Sequence, residues 1–342
     1  MKKANDFAWY LSRFMTTYLS GEKKLSTNTI AVYRDTFRLF LLFCEQKLKI
    51  APDRITISLF TKELIINYLD WLEAERKCSI TTRNQRLSCI HGFFKYVQKE
   101  LPERMFEVQR IIGILPGKTA KTIVPYLTED ELKILFQQPD IRTKQGKRDL
   151  VLLTLMYDSA ARVQEIADLK MKDIRLNTPA VITLHGKGNK TRLVPILGRV
   201  KDLLTGYLED HKRYSWGIAL SDIPVFCNQK HQSLTRWGIS FILKRYVEMA
   251  RKDIEFTVNF PVTPHVLRHS KAVGMLKSGI NLIYIKDFLG HSNVSTTEVY
   301  ARADSEMKRK ALEESYKELY THEMPKWNED ENLMQWLNNL SR

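Results

Sequence analysis

Cysteine is scarce in this chain and shows no pairing pattern. Four occur among 342 residues, Cys44, Cys78, Cys89 and Cys227, with no C-x-x-C pair. That spacing excludes a disulfide framework and a thiolate zinc site, and it fits a reducing cytosol. Long apolar runs are missing as well. The longest lie near Leu39–Cys44 and Leu150–Tyr157, too short to span a bilayer. The opening M-K-K-A-N-D-F-A-W-Y has no apolar core after its lysines, so no signal peptide is expected and the protein is assigned to the cytoplasm, away from membranes. No G-x-x-x-x-G-K-[ST] loop is present to cradle a nucleotide, and no carboxylate cluster suits two-metal nuclease chemistry. Neither a cofactor nor a metal is therefore expected. Internal repeats and low-complexity stretches are absent too.

What the chain has in excess is positive charge. The formal net charge is +15 and the isoelectric point about 9.5. Residues 1–120 hold 20 Lys and Arg against 12 Asp and Glu, and the remainder 34 against 27, so the two parts carry net charges of +8 and +7. A basic excess spread in this way suits a polyanion that touches both parts. Hydrophobic residues make up 44%, enough for a globular chain, and the length allows two domains with separate cores.

Apolar spacing divides the chain. Ile30, Tyr33, Phe37, Phe40 and Leu41 recur at helical spacing after Ser26-Thr27-Asn28, and Leu87, Ile90, Phe94 and Val97 do so after Ser79. With helices near Asp6–Leu19 and Lys62–Glu75, residues 1–113 read as a bundle of four or five helices. Arg34, Arg38, Arg83, Arg86 and Lys95 fall on its polar faces, where they would be solvated or would press on DNA. Residues 114–126, with two prolines, a glycine and two lysines, read as a linker. A capping box at Thr128–Glu131 then opens a second domain over 127–322. Val181–Leu184 and Arg192–Ile196 flank a Gly-Lys-Gly-Asn-Lys turn and predict a β-hairpin, and Pro264 starts a helix with Thr263 as its cap. In the tail, 323–342, Leu333, Trp336, Leu337 and Leu340 form an amphipathic helical stripe that could pack on its own domain or on a neighbouring subunit.

Within the second domain six side chains suit one chemistry: Arg162, Lys187, His265, Arg268, His291 and Tyr300. A phosphodiester is anionic and resists an oxygen nucleophile, so catalysis needs donors aimed at its non-bridging oxygens. Arginine's planar fork grips phosphate and stays protonated, so Arg162 and Arg268 could clamp one phosphate from two sides. His265 and Arg268 stand three apart at a helix start, where the dipole favours an anion. His265 can exchange a proton near neutral pH as base or acid. His269 is read as lying on another face with a structural role. His291 would add a phosphate donor. Lys187, with Lys190 as its rival in the same turn, could protonate a leaving oxygen. Tyr300 could attack phosphorus and conserve the bond energy as a phosphotyrosine.

The strings that carry these residues are R-D-L-V-L-L-T-L-M-Y-D-S-A-A-R-V-Q-E-I-A-D-L, G-K-G-N-K-T-R-L-V-P, P-H-V-L-R-H, L-G-H-S-N and T-T-E-V-Y-A. Together they resemble the tyrosine recombinases, the phage-integrase family of DNA strand-exchange enzymes. The likeness runs from about residue 5 to about residue 315, with S-T-N-T-I-A-V-Y-R-D-T-F-R-L-F and S-I-T-T-R-N-Q-R similar to the family's helical core-binding domain. The resemblance implies a mainly α fold with a small antiparallel β-sheet, a core-binding domain joined to a mixed α/β catalytic domain. It implies a C-shaped clamp on duplex DNA and a homo-tetramer that exchanges strands through a Holliday junction without metal. By motif match Tyr300 would be the nucleophile, leaving a 3′-phosphotyrosine and a free 5′-hydroxyl. Arg162, Arg268 and His291 would stabilise the phosphate, His265 would assist proton transfer, and Lys187 would be the acid on the 5′ oxygen. Integrases and transposases of mobile elements do this work, and the early start of the helical domain suggests a simple recombinase without an arm-binding domain. A type IB topoisomerase and a non-catalytic DNA-binding relative are the alternatives. Two departures stand out. Ala160-Ala161 replace a glycine and a large apolar residue before Arg162, which costs alanine strain if the turn needs positive φ. Lys271 adds a charge near the site.

Overall fold

The computed structural model describes residues 6–119, 124–186, 190–212 and 222–291, with residues 293, 294, 296–298, 300, 335, 336, 339 and 340 beyond them. The chain divides into two compact units, Met1–Lys121 and Thr122–Arg342, and the division falls inside the segment read as a linker. The predicted tail stripe lies mostly outside the described residues; of its four positions only Trp336 and Leu340 are described, both exposed.

The first unit is helical among its described residues. It contains α1 (Asp6–Arg13), which continues in π-turns over Phe14–Glu22, then α2 (Thr27–Leu48), α3 (Lys62–Ala74), α4 (Ile80–Glu100) and α5 (Met105–Ile112). Ser26, Thr61 and Ser79 cap α2, α3 and α4 with their side chains, accepting from Thr29, Leu64 and Thr82 amides, so backbone donors that the helix leaves orphaned are satisfied. The core is aromatic: Phe7, Phe14, Phe37, Phe40, Phe60, Tyr68, Phe93 and Phe94 are buried, and edge-to-face pairs such as Phe37–Phe93 at 5.0 Å add to their apolar burial. Arg34, Arg38 and Lys95 are exposed as expected. Arg83 and Arg86 correct the solvated-face reading. Arg83 pairs with Glu73. Arg86 Nη1 donates to the Val32 carbonyl and to Thr36 Oγ1, both at 3.1 Å, tying α4 to α2.

The second unit is mixed. The capping box at Thr128 opens α6 (Glu129–Gln137), followed by α7 (Lys144–Asp158) and the short α8 (Val163–Ala167). Strands β1 (Ile174–Arg175), β2 (Val181–His185) and β3 (Thr191–Pro195) form one antiparallel sheet in that order, with His185 opposite Thr191 at the hairpin's end. β1 is too short to have left a periodic signal. Helices α9 (Gly198–Lys212), α10 (Arg236–Ala250), α11 (Pro264–Lys277) and α12 (Leu282–Leu289) complete the described part. Pro264 does open α11 after Thr263, although no capping bond from the Thr263 side chain forms. A large core joins α7, α8, β2, β3 and α10. A smaller one gathers Ala160, Ala272, Val273, Ile285, Leu289 and Tyr300, and it supports the site below. No helix among the described residues is long and apolar enough to cross a membrane.

Candidate active site

Arg162 ends the turn between α7 and α8. The turn requires Ala160 to adopt φ +45°, the left-handed geometry that the missing glycine would have taken without strain. From there Arg162 Nη1 donates to Glu165 Oε1 at 2.9 Å, its backbone N to Glu165 Oε2 at 2.8 Å, and Nη2 to the Gly290 carbonyl at 3.3 Å. Arg268, on the buried face of α11 and 3% exposed, donates to the Ala160 carbonyl at 2.6 Å and to the Leu289 carbonyl. Gly290 closes α12 at φ +64°. Its left-handed turn carries the chain into His291, whose Nδ1 lies 3.0 Å from the buried Thr297 hydroxyl. Three sequence-distant segments therefore meet through carbonyls that receive arginine donors.

Sequence reasoning passed over a third guanidinium. Arg192 of β3 donates to both Glu165 oxygens at 2.8 Å and through Nε to the Phe288 carbonyl at 3.0 Å. Glu165 and Arg192 both stood in the quoted strings, but nothing in their spacing said that they would pair. Burial pushes the Glu165 carboxyl up, yet the Arg192 and Arg162 guanidiniums hold it below its ordinary range. One carboxylate thus serves two arginines, and a third guanidinium stands near. Burial, then the charges of Arg162 and Arg192, bring Arg268 down to about 10. It stays protonated at neutral pH while feeling like charges that an anion would relieve. Arg162, Lys190, Arg192, Gly290, His291 and Thr296 line an open cleft of about 400 Å³.

Tyr300 is buried, 2% exposed. Its ring stacks at 6.4 Å from that of His291 and lies 5.3 Å from that of His269. Its hydroxyl is 2.9 Å from His269 Nδ1. Burial raises the phenol above its ordinary value, opposed by the Arg268 and Arg162 charges and a hydrogen bond from Arg268. His269 therefore corrects the sequence reading. It stands four residues after His265, nearly the same helical face, and their rings stack at 6.3 Å. His265 keeps part of its surface in solvent, yet the packed side of its ring is desolvated, and this together with the Arg268 and Arg162 charges lowers its pKa. Burial also brings His269 and His291 down to about 4, assisted by neighbouring cationic and imidazole groups. Lys271 is less a site charge than expected, since its ammonium pairs with Asp158 at 2.7 Å and sits over the Tyr157 ring. Lys187 lies outside the described residues.

This architecture, a helical unit followed by a mainly helical unit with a three-stranded sheet, is similar in fold to solved structures of a site-specific recombinase and a transposon integrase. The XerH site-specific recombinase bound to palindromic difH substrate superposes with a TM-score of 0.67 at 21% identity, covering 83% of this chain and 78% of the other. The Tn1549 transposon integrase in complex with transposon right end DNA gives 0.65 at 17% identity, covering 90% and 98%. In sequence, residues 11–103 match the phage integrase N-terminal SAM-like domain and residues 125–307 the phage integrase family. A Sinorhizobium fredii protein named as integrase/recombinase y4rC is 32% identical over 99% of this chain and 100% of its own length. The tyrosine recombinase XerC of Bacillus pumilus is 32% identical over 86% and 92%. The chain belongs to the phage integrase family and is a site-specific tyrosine recombinase.

Proposed function

We propose that this recombinase cuts and rejoins double-stranded DNA at paired sites of a mobile element, with Tyr300 as the nucleophile and a 3′-phosphotyrosine as the intermediate. Arg162, Arg268 and His291 hold the scissile phosphate, His265 assists proton transfer at it, and Lys187 protonates the departing 5′ oxygen. The helical unit, residues 1–113, grips the core site, the linker is 114–126, and the catalytic domain is 127–322. Four copies act on two sites in the cytoplasm, and the tail, residues 323–342, packs either on its own domain or on a neighbouring subunit. The chemistry as proposed asks for no metal or cofactor.

One observation carries the reading. A buried phenol hydroxyl shares a single site with guanidiniums whose charge exceeds that of Glu165, their one carboxylate partner among the described residues. That excess is what an incoming phosphodiester neutralises. The test uses Tyr300→Phe to select bound duplexes from a randomised pool, and wild-type chain to form adducts on the selected duplex carrying a nick beside the cleaved bond. The wild type should become covalently attached at a 3′ phosphate, and Tyr300→Phe should bind without attachment. An adduct with Tyr300→Phe would refute the assignment.

A further inference from the structure

Tyr300 needs something to remove its proton, and the contact at its hydroxyl is not with the histidine that the sequence brought forward. We propose that His269, through Nδ1, takes the phenolic proton of Tyr300 as that oxygen attacks phosphorus, and returns it when the strand is resealed. This rests on Tyr300 being the nucleophile.

The geometry leaves few other candidates. Proton transfer requires heavy atoms within hydrogen-bond reach, about 2.6–3.2 Å. His269 Nδ1 lies 2.9 Å from the Tyr300 hydroxyl. His291 turns its Nδ1 to Thr297 instead. Arg268 is a donor to the phenol and, at about 10, keeps its own proton. His265 makes no contact with Tyr300 among those described, and its ring stacks on that of His269. When neutral with its proton on Nε2, the His269 ring presents a lone pair at Nδ1 to the phenol.

The electrostatics make the transfer conditional. Burial holds the phenol above its ordinary value of 10.0, so little phenolate stands ready near neutral pH and a base is required. Burial, His265 and Arg268 hold His269 near 4. The ring is thus neutral and able to accept, but an imidazolium is disfavoured while the guanidiniums of the site outnumber the Glu165 carboxylate. A phosphodiester between the arginines brings the negative charge that stabilises it. Activation of the nucleophile is thereby tied to arrival of the phosphate. The step balances. The phenol oxygen–phosphorus bond forms, the phosphorus–5′ oxygen bond breaks, the phenolic proton moves to Nδ1, and the 5′ oxygen takes a proton from a separate acid. Resealing reverses each transfer.

The test measures single-turnover adduct formation by the full-length chain on the nicked duplex it selects, from about pH 6 to about pH 9. His269→Ala and His269→Gln should slow attachment by about 10²–10⁴-fold while still binding the duplex. Their rates should climb about tenfold per pH unit as hydroxide replaces the base, and added imidazole should restore part of the His269→Ala rate but none of the His269→Gln rate. The proposal is overturned if either variant stays within about threefold of wild type. It is overturned equally if the loss leaves the pH profile unchanged and resists imidazole, the signature of a purely structural role. If His269→Ala no longer binds duplex, His269→Gln alone decides by rate and pH profile. Wild type that forms no adduct, or Tyr300→Phe that does, removes the nucleophile and this proposal with it. Failure at His269 alone leaves Tyr300 standing.

Discussion

Glu165→Gln is the sharpest test of how the arginines are held. The carboxylate is 3% exposed at its side chain and accepts four hydrogen bonds, two from Arg192 at 2.8 Å, one from Arg162 Nη1 at 2.9 Å and one from the Arg162 amide at 2.8 Å. Glutamine fills the same volume, so no cavity opens. It has one acceptor oxygen, and its NH₂ would face guanidinium donors. Removing one partner from a buried ion pair costs about 3–5 kcal/mol. For a unit of this size about 1 kcal/mol moves the melting temperature by about 2–4 °C, so the fall should be about 6–20 °C by scanning calorimetry of the full chain. The pH dependence follows from the sign of the shift. The folded carboxyl is held below its ordinary 4.5, so its stabilisation is complete above that value and is lost as pH falls through the depressed one. Wild type should therefore lose its advantage over Glu165→Gln as acid is added below about pH 4.5. A melting shift under about 2 °C at neutral pH, or a gap that does not narrow in acid, would mean that Glu165 does not organise the arginines.

Two other outcomes are expected. At Ala160, glycine relieves a positive-φ cost of about 1–2 kcal/mol but loses about 0.8 kcal/mol of methyl burial and about 0.4–1 kcal/mol through the freer unfolded chain. Ala160→Gly should thus unfold in urea within about 1 kcal/mol of wild type, whereas Ala160→Val, β-branched in a fully buried left-handed turn, should lose about 3 kcal/mol or more; equal stability of the two would refute strain at this turn. His291, brought from 6.5 down to about 4, binds its proton less readily folded than unfolded. It therefore costs stability as pH falls from about 6.5 towards about 4. Urea midpoints of His291→Gln and wild type should converge over that window, and parallel midpoints would contradict the buried, neutral imidazole.

What was legible in the sequence followed its periodicities. Capped helices such as α2, α4 and α6 announced themselves because the cap and the apolar stripe lie within one local segment. The hairpin did so because a glycine-flanked turn separates two β-prone runs. Arg162, Arg268, His291 and Tyr300 stood out in the sequence as candidates, and the fold brings them together. The rest was decided by contacts between segments. Arg192 lies 27 residues from Glu165 and Tyr300 lies 31 from His269, and no local pattern reports such pairings. Arg83 and Arg86 had the spacing of a solvated face, yet partners on neighbouring helices drew them inward. His269 is the instructive case. Its helical position already placed it over His265, one turn along α11. What could not be read was that the chain, after leaving α12 through the left-handed Gly290, returns a phenol to that same face. A histidine becomes a candidate base through the group that folding delivers to it, so the residue that most changes the account of this site owes its importance to a turn 21 residues away.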